Sequence, residues 1–170
     1  MTPDQVIAAL GLEPLPVEGG LFHQTWRGPE DSEGNPSGTS IVAMYTDDTD
    51  SFSAIHRLPT TEIWHFQLGD PIRMLLLWPN GTVTEPVLGP NLMDGDQLTV
   101  IVPPGVWMGA DLVPGGRYGV FACTMAPGFT SSDYEGGDAD GLSARFPSVA
   151  ARIRRLHRPH ESTTRMPPGL

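Results

Sequence analysis

The chain lacks lysine, and its ten strongly basic side chains are all arginines. A protein without lysine can neither form a Schiff base with a carbonyl substrate nor use an amine side chain as general base. The 170 residues include one cysteine, Cys123, so no disulfide can form within the chain. Cys123 lies in the apolar run 120–125, where we expect a buried and inert thiol.

Positive charge is also scarce, because twenty acidic residues outnumber the arginines and give a net charge of −10. This balance argues against a nucleic-acid partner, which requires clustered cations. No apolar run reaches the roughly 18 residues of a membrane span, and the N-terminus lacks the basic and apolar regions of a secretion signal. We therefore expect a soluble, cytoplasmic protein that acts neither on nucleic acids nor at membranes.

Glycine and proline are abundant, with 20 and 18 residues respectively. So many turn-forming residues in a chain of ordinary hydrophobicity indicate short strands joined by turns. An all-β sandwich or barrel is predicted, because β-like runs recur about every ten residues. These runs cover 21–27, 39–46, 51–57, 62–68, 72–78, 82–88, 98–102, 106–112 and 117–125.

Helices are predicted only at the two ends of this β region. Residues 2–5 have the pattern of a helix N-terminal cap, and Gly11 is a typical helix stop. Residues 146–156 carry a stripe of apolar side chains at helical spacing, which predicts a C-terminal helix. The sequence contains no internal domain boundary, so we predict one domain over 1–158 and a flexible tail over 159–170.

The stretch 51–70 places a histidine, His56, and a glutamate, Glu62, on either side of Leu58-Pro-Thr-Thr61. Proline and threonine favour a tight reversal there, and hence a β-hairpin. Residues beside a hairpin turn oppose each other, so we expect these two side chains within about 5 to 8 Å. An imidazole and a carboxyl group held this close suit acid–base catalysis.

Alternation along the strand places Glu62, Trp64, Phe66 and Leu68 on one face and His65 on the other. A carboxyl group that faces an apolar cavity is disfavoured in its ionised form, so its pKa rises toward neutrality. Glu62 could then donate or accept a proton. The alternatives are that Glu62 forms a structural ion pair with a nearby arginine and that the histidine is a structural residue of the core.

Six segments resemble, in order and at matching spacing, the landmarks of a known family. They are Glu18-Gly-Gly-Leu-Phe22, Glu62-Ile-Trp-His-Phe66, Gly69-Asp-Pro71, Pro79-Asn-Gly81, Val102-Pro-Pro-Gly-Val-Trp107 and Cys123-Thr-Met-Ala-Pro-Gly-Phe129. The chain resembles the cupin_5 (DUF985) family of small cupins from about residue 5 to 150. The resemblance implies a cupin double-stranded β-helix, which is a jelly-roll barrel with an open mouth, and a homodimer. In outline the family resembles the dTDP-sugar epimerase type of cupin.

In metal-binding cupins, two histidines and a glutamate of a first motif and a histidine of a second motif bind the ion. His56 and Glu62 match two of these ligands, but Ala54 and Met108 stand where the other two would fall. Two protein ligands hold a divalent metal weakly, since catalytic zinc normally has three. These departures from the family's pattern therefore predict a site with neither a metal nor another cofactor.

A second departure lies near the N-terminus, where relatives tend to have a charged Arg-Glu pair and this chain has His23-Gln24. The change implies a substrate that differs from the family's usual one. Large side chains on the predicted strands would first of all pack the barrel, and a lone arginine often meets a carboxylate of the protein or of a ligand. We expect the substrate to contact His23, Gln24, Tyr45, Trp64, Arg73, Trp107 and Met108.

The leading hypothesis is a metal-independent enzyme that binds a small, largely apolar molecule. Glu62 would act as general acid or base and His56 as its partner, in an isomerisation, epimerisation or cyclisation. A lysine-free, proline-rich composition is typical of high-GC bacteria, in which variant cupins can serve natural-product biosynthesis. Two alternatives stay open: a cupin that binds a small ligand without altering it, and a metal-dependent oxygenase or lyase in which His65 or His23 completes the coordination.

Overall fold

The structure, a computed structural model, describes residues 1–158 and Met166. It contains helices α1 (Pro3–Leu10), α2 (Ala139–Arg145) and α3 (Ala150–Arg155). Three-residue 3-10 helices lie at Leu92–Asp94, Ser131–Asp133 and Pro147–Val149. The strands are β1 (Glu13–Pro14), β2 (Leu21–Arg27), β3 (Thr39–Thr46), β4 (Phe52–Arg57), β5 (Glu62–Gly69), β6 (Ile72–Leu77), β7 (Val83–Thr84), β8 (Val87–Leu88), β9 (Thr99–Val102), β10 (Trp107–Leu112), β11 (Tyr118–Met125) and β12 (Glu135–Gly136).

The strands form two antiparallel sheets that face each other across one core. The first sheet has the order β1-β2-β3-β11-β5-β9, and the second has the order β12-β4-β10-β6-β7, with β8 also paired to β6. Side chains from both sheets meet in this core, including Tyr45, Trp64, Met74, Met108 and Phe121. The predicted all-β class and jelly-roll barrel are confirmed.

The predicted strands agree closely with the observed ones, and the differences have local causes. The predicted strand 82–88 is divided into β7 and β8 at Pro86, which lacks the N–H group that a continuous strand needs. Helix α2 was not predicted, because its segment is rich in glycine and acidic residues. Its N-terminus is stabilised by Asp138, whose side chain accepts hydrogen bonds from the backbone N–H groups of Asp140 and Gly141.

The predicted hairpin between 51–57 and 62–68 is wrong. Strand β4 pairs with β10 and β12 in the second sheet, whereas β5 pairs with β9 and β11 in the first sheet. Residues 58–61 carry the chain from one sheet to the other. Leu58 is buried in the barrel core, and its carbonyl accepts a hydrogen bond of 2.9 Å from Gly105 N. His56 and Glu62 therefore approach the interior from opposite sheets.

The predicted common face of β5 is correct for Glu62, Trp64 and Phe66 but wrong for Leu68. A bulge interrupts the pairing of β5 with β11 between Phe66 and Leu68. An extra residue in a strand reverses the direction of the side chains beyond it. Leu68 consequently packs with Val6 of α1 on the outside of the first sheet.

The two chain ends pack on the outside of the barrel. Helix α1 has the predicted capping box of Thr2 and Gln5 and ends at Gly11. The predicted helix 146–156 consists of a 3-10 turn followed by α3, and Ile153 of α3 is buried against the second sheet. No helix in the described part of the chain is long and apolar enough to span a bilayer. The predicted tail 159–170 lies outside the described residues except for Met166, which is buried.

Asp111 of β10 anchors α3 to the second sheet. Its carboxylate accepts hydrogen bonds of 2.6 and 2.8 Å from Arg152 and of 3.0 and 3.2 Å from Arg73. Burial alone would raise the pKa of Asp111, but the two arginines outweigh it and hold this pKa below its ordinary value. The ion cluster therefore contributes stability above the ordinary aspartate pKa, and this contribution is lost as the pH falls.

We expect Asp111→Asn to lower the free energy of unfolding by about 3 kcal/mol at pH 7, because two arginines lose their shared counter-charge. The matched control is Glu85→Gln, since Glu85 is 52% exposed and lies 3.8 Å from Arg152 Nε. This variant should lose less than about 1 kcal/mol. Urea unfolding measures both values. Equal losses in the two variants, or a deficit in Asp111→Asn that does not shrink as the pH falls, would contradict this account.

Candidate active site

A partly enclosed cavity of about 60 Å³ lies inside the barrel. This volume has room for a few water molecules or for a small part of a ligand. The lining is mostly apolar, but it includes two carboxyl groups and one imidazole. The lining residues are Leu15, Glu18, Phe22, Gln24, Thr39, Ile41, His56, Leu58, Glu62, Cys123, Met125 and Phe129.

The imidazole of His56 is fixed in one orientation. It is 1% exposed, and its Nδ1 donates a hydrogen bond of 2.8 Å to the carbonyl of Ala54. The ring stacks on Tyr134, with the ring centroids 4.9 Å apart and the planes inclined by 18°. Because Nδ1 carries the proton, Nε2 of the neutral ring has a free lone pair that can accept a proton.

The carboxyl group of Glu62 is held from the opposite sheet. Its Oε2 accepts a hydrogen bond of 2.8 Å from Trp64 Nε1. The indole of Trp64 is itself fixed by stacking on Phe121, with the ring centroids 4.6 Å apart. Two residues on the same face of β5 thus provide a carboxyl group and the donor that orients it.

The pKa of Glu62 is raised from its ordinary value of 4.5 to about 7, mainly because the carboxyl group is buried. The negative charge of Glu18 also acts to raise this pKa, whereas His56 and the hydrogen bonds from Trp64 and Cys123 act to lower it. Near neutral pH the carboxyl group is therefore divided between its protonated and ionised forms. A group in this state can both donate and accept protons at little cost.

Glu18 is a site residue that the sequence analysis missed. Its Oε2 lies 4.0 Å from Nε2 of His56, and its Oε1 accepts a hydrogen bond of 2.7 Å from the hydroxyl of Ser53. The backbone N–H of Ala54 also donates to the carbonyl of Glu18, at 2.8 Å. The segment before β2 is thereby attached to β4, and the second carboxyl group reaches the cavity beside the histidine.

The loop that carries Glu18 has an unusual backbone. Val17 has a φ of 66°, and the N–H of Glu18 donates to the carbonyl of Pro16 at 2.7 Å, which closes a three-residue turn. A positive φ is unfavourable for a β-branched residue, and residues strained in this way cluster at functional sites. Gly19 and Gly20 follow with φ values of 97° and 76°. The glycine pair after a glutamate was the available signal for this residue.

The C-terminal part of the chain covers this loop. A side chain at Gly19 would overlap the guanidinium group of Arg158, which donates to the carbonyl of Asp50. Met166 is buried together with Val17 and Tyr134, next to Phe129 of the cavity wall. The C-terminal part of the described chain therefore supports the loop that carries Glu18.

Four of the seven predicted pocket residues lie in or directly behind the cavity. Gln24 lines it, and Trp64 reaches it through the hydrogen bond to Glu62. Tyr45 and Met108 are buried in the barrel core, where Tyr45 packs against Phe121 with the ring centroids 4.9 Å apart. Tyr45 and Met108 support the site rather than line it, as the packing interpretation of large side chains predicted.

The other three predicted pocket residues, His23, Arg73 and Trp107, lie away from the cavity, and strand alternation explains each placement. His23 is exposed because its neighbours on β2 point inward. Arg73 points outward to Asp111, which confirms the alternative of a protein partner. Trp107 packs between the second sheet and the C-terminal helices, with the guanidinium of Arg57 4.6 Å from the centre of its ring.

Two further side chains behave as their sequence context indicates. His65 lies on the face of β5 opposite to Glu62, where its Nε2 is 3.0 Å from the hydroxyl of Thr124. Cys123 is buried, and this burial, together with the negative charges of Glu62 and Glu18, raises the pKa of its thiol well above the ordinary value. The thiol is therefore held in its protonated form, which is the weaker nucleophile.

The side chains at this cavity do not fit the metal centre of other cupins. Within the described residues, no three histidine, cysteine, aspartate or glutamate side chains are grouped so that they could hold a metal ion. Oε2 of Glu62 is engaged by Trp64, and Met108 fills the core where a fourth ligand would be needed. His23 and His65 point away from the cavity, so neither completes a coordination sphere.

The alternating two-sheet barrel and its internal site define a protein of the cupin class. The chain belongs to the Cupin_5 family (DUF985) of the cupin superfamily, whose family model matches residues 4–136. It has no significant match among curated proteins.

Solved structures show the same fold. A protein of Shewanella oneidensis is 29% identical, with a TM-score of 0.84 over 94% of this chain and 99% of that protein. A hypothetical protein of Leishmania major is 25% identical, with a TM-score of 0.81 over 92% of this chain and 99% of that protein. A dTDP sugar isomerase of Desulfovibrio desulfuricans is 17% identical, with a TM-score of 0.53 over 82% and 87% of the two chains, and shares the fold alone.

We expect Glu62 to make the folded protein less stable as the pH rises. The unfolded chain releases this proton near pH 4.5 and the folded chain near pH 7, so the free energy of unfolding falls by about 3 kcal/mol across this interval. The variant Glu62→Gln lacks this titration. Its free energy of unfolding relative to that of the wild type should therefore rise by about 3 kcal/mol between pH 4.5 and pH 8. Parallel pH profiles of the two proteins in urea unfolding would contradict the burial argument.

The control for this measurement is Glu13→Gln, which removes an exposed carboxyl group of β1. Its stability should follow that of the wild type at every pH to within about 0.5 kcal/mol. A gain in this variant equal to that of Glu62→Gln would mean that overall negative charge, and not burial, causes the effect.

We expect protein incubated with zinc, manganese and iron(II) salts and then desalted to retain well below one metal ion per chain, because no three possible ligands in the described part of the chain are grouped closely enough to bind one ion. Elemental analysis measures the content. One ion per chain, lost again in His56→Asn, would contradict this prediction and favour a metal-dependent oxygenase or lyase.

Proposed function

We propose that this chain is a metal-independent enzyme that moves protons on a small, largely apolar molecule inside the barrel, in an isomerisation, epimerisation or cyclisation. The observation that carries the proposal is a buried glutamate with a pKa of about 7 that faces the same apolar cavity as a histidine with a free Nε2. Active sites are where titratable groups of this kind concentrate.

The chemistry needs one acid and one base on different sides of the substrate. Neutral His56 removes a proton from a carbon atom through Nε2, while protonated Glu62 donates its proton to an adjacent carbonyl oxygen. Where the enol is conjugated with a further double bond, it becomes an isomer of the substrate when the ionised Glu62 takes the hydroxyl proton and the imidazolium delivers its proton to a different carbon atom of the conjugated system. Both groups regain their initial states, so the cycle balances.

The surrounding residues prepare these two groups. The carbonyl of Ala54 keeps the histidine in the tautomer with Nε2 free, and Trp64 orients the carboxyl group of Glu62. Glu18, whose carboxylate lies 4.0 Å from Nε2, stabilises the imidazolium that forms during the reaction. The apolar wall keeps water from the enol and strengthens these electrostatic interactions.

The comparisons support this proposal only at the level of the fold. A dTDP sugar isomerase and the oxalate decarboxylase of Bacillus subtilis have similar barrels at 17% and 12% identity. Both names denote anionic substrates, whereas two carboxyl groups line this cavity, so neither substrate is carried over. A homodimer, a place in the cytoplasm and a role in natural-product biosynthesis stay predictions from the sequence.

The test uses solvent deuterium, because a proton-transfer enzyme that exchanges with solvent incorporates it into its product. Purified protein is incubated in D₂O with a small-molecule cell extract, and mass spectrometry identifies compounds that gain mass. We expect the wild type to label at least one compound, and Glu62→Gln and His56→Gln to label it about 10²- to 10⁴-fold more slowly.

The matched control is His65→Gln, which changes a histidine of the same strand on the outer face of the first sheet. It should label the compound at the wild-type rate. Full labelling by Glu62→Gln would overturn the proposed mechanism. A compound that binds the wild type but returns with neither deuterium nor rearrangement would show the alternative, a ligand-binding cupin without catalysis.

A further inference from the structure

The cavity has acidic groups but no basic side chain other than the histidine. Glu18 and Glu62 line it, whereas none of the arginines in the described part of the chain does. The chain has no lysine that could take their place. Any charged ligand would therefore meet two carboxyl groups and a single imidazole.

Two arginines next to residues of the cavity wall are already engaged elsewhere. Arg27 reaches the carbonyl of Phe129 at 3.4 Å, but its guanidinium is bound to Glu30 at 2.9 and 3.0 Å. Arg57, which precedes Leu58 of the cavity wall, binds Glu135 through two hydrogen bonds of 2.7 and 2.8 Å. Neither guanidinium is available to neutralise a ligand.

An anion would lose its hydration on entering this cavity without gaining a cationic partner. Burial of an unpaired charge in an apolar site is strongly unfavourable, and repulsion from a nearby carboxylate adds to the cost. A neutral or cationic ligand meets neither obstacle. The arrangement of charges therefore selects between ligands that have the same shape.

Glu18 also offers a specific contact. Its Oε1 is occupied by the hydroxyl of Ser53, while its Oε2 faces Nε2 of His56 across 4.0 Å, which is too far for a direct hydrogen bond. A hydroxyl or ammonium group of a ligand placed between them could donate to Oε2. A hydroxyl group has one hydrogen and can donate it to Oε2 or to Nε2, whereas an ammonium group can donate to both atoms, so the gap suits a polar end group on a small apolar molecule.

We propose that this cavity binds an uncharged or positively charged small molecule whose hydroxyl or amino group donates a hydrogen bond to Glu18, and that Glu18 is the residue that excludes anions. The inference rests on the proposed function for the location of the site, and it adds the class of substrate. It requires no proton transfer, so it can be tested by binding alone.

The experiment uses three probes of nearly equal shape: 2-methylpropan-1-ol, 2-methylpropan-1-amine as its cation, and 2-methylpropanoate. Their binding at pH 7.5 is measured by NMR, through shifts of the indole N–H signal of Trp64, whose Nε1 donates to Glu62. We expect the alcohol and the ammonium to bind at least tenfold more tightly than the carboxylate. In Glu18→Gln this preference over the carboxylate should fall by about tenfold.

The control is again Glu13→Gln, which removes the same unit of charge from an exposed position and should keep the wild-type preference. Equal or tighter binding of 2-methylpropanoate to the wild type would overturn the proposal, as would an unchanged preference in Glu18→Gln. Failure of both the alcohol and the amine to bind at 50 mM would also overturn it.

These outcomes are separable from the fate of the proposed function. If the labelled compound of the deuterium experiment is an anion, the substrate class proposed in this subsection is wrong although the enzyme is active. If the neutral and cationic probes bind as expected but no compound is labelled, the proposed ligand selectivity is supported and the proposed catalysis is wrong.

Discussion

The burial of one carboxyl group is the constraint on which the site depends. Glu62 lies 8% exposed in an apolar barrel, where an ionised carboxylate is unfavourable and a protonated one is tolerated. Trp64 provides one strong donor, which limits the cost without cancelling it. The site is therefore a place where folding stability is reduced at neutral pH, as is typical of functional sites.

The double-stranded β-helix separates the groups that must act together. From β3 to β6, and again from β8 to β12, successive strands alternate between the two sheets, so residues only six positions apart in sequence enter the cavity from opposite walls. A hairpin would have placed His56 and Glu62 side by side, where the two side chains would pair with each other. Across the barrel they leave a space between them that a substrate can occupy. Glu18 adds a third direction, from the loop before β2.

Much of the architecture was predictable because each strand has its own local signals. The path of residues 58–61 was not predictable, because proline and threonine suit both a hairpin and a crossing between sheets. The crossing is favoured by the burial of Leu58 in a core that distant strands build. Glu18 was missed because the glycine pair that follows it indicates a turn but not the direction of the glutamate side chain, which depends on the positive φ at Val17. The position of Trp107, by contrast, was predictable. Neighbouring residues of a strand point in opposite directions, so if Met108 faces the core, Trp107 must face outward.

The packing of later residues on the Glu18 loop has a consequence for synthesis on the ribosome. Arg158 and Met166 are made after every strand of the barrel, yet they pack on Gly19 and Val17, which precede β2. The barrel walls can assemble earlier, but the second carboxyl group lacks its final support until Arg158 and Met166 have been made. A nascent chain can thus form its barrel before its active site is complete.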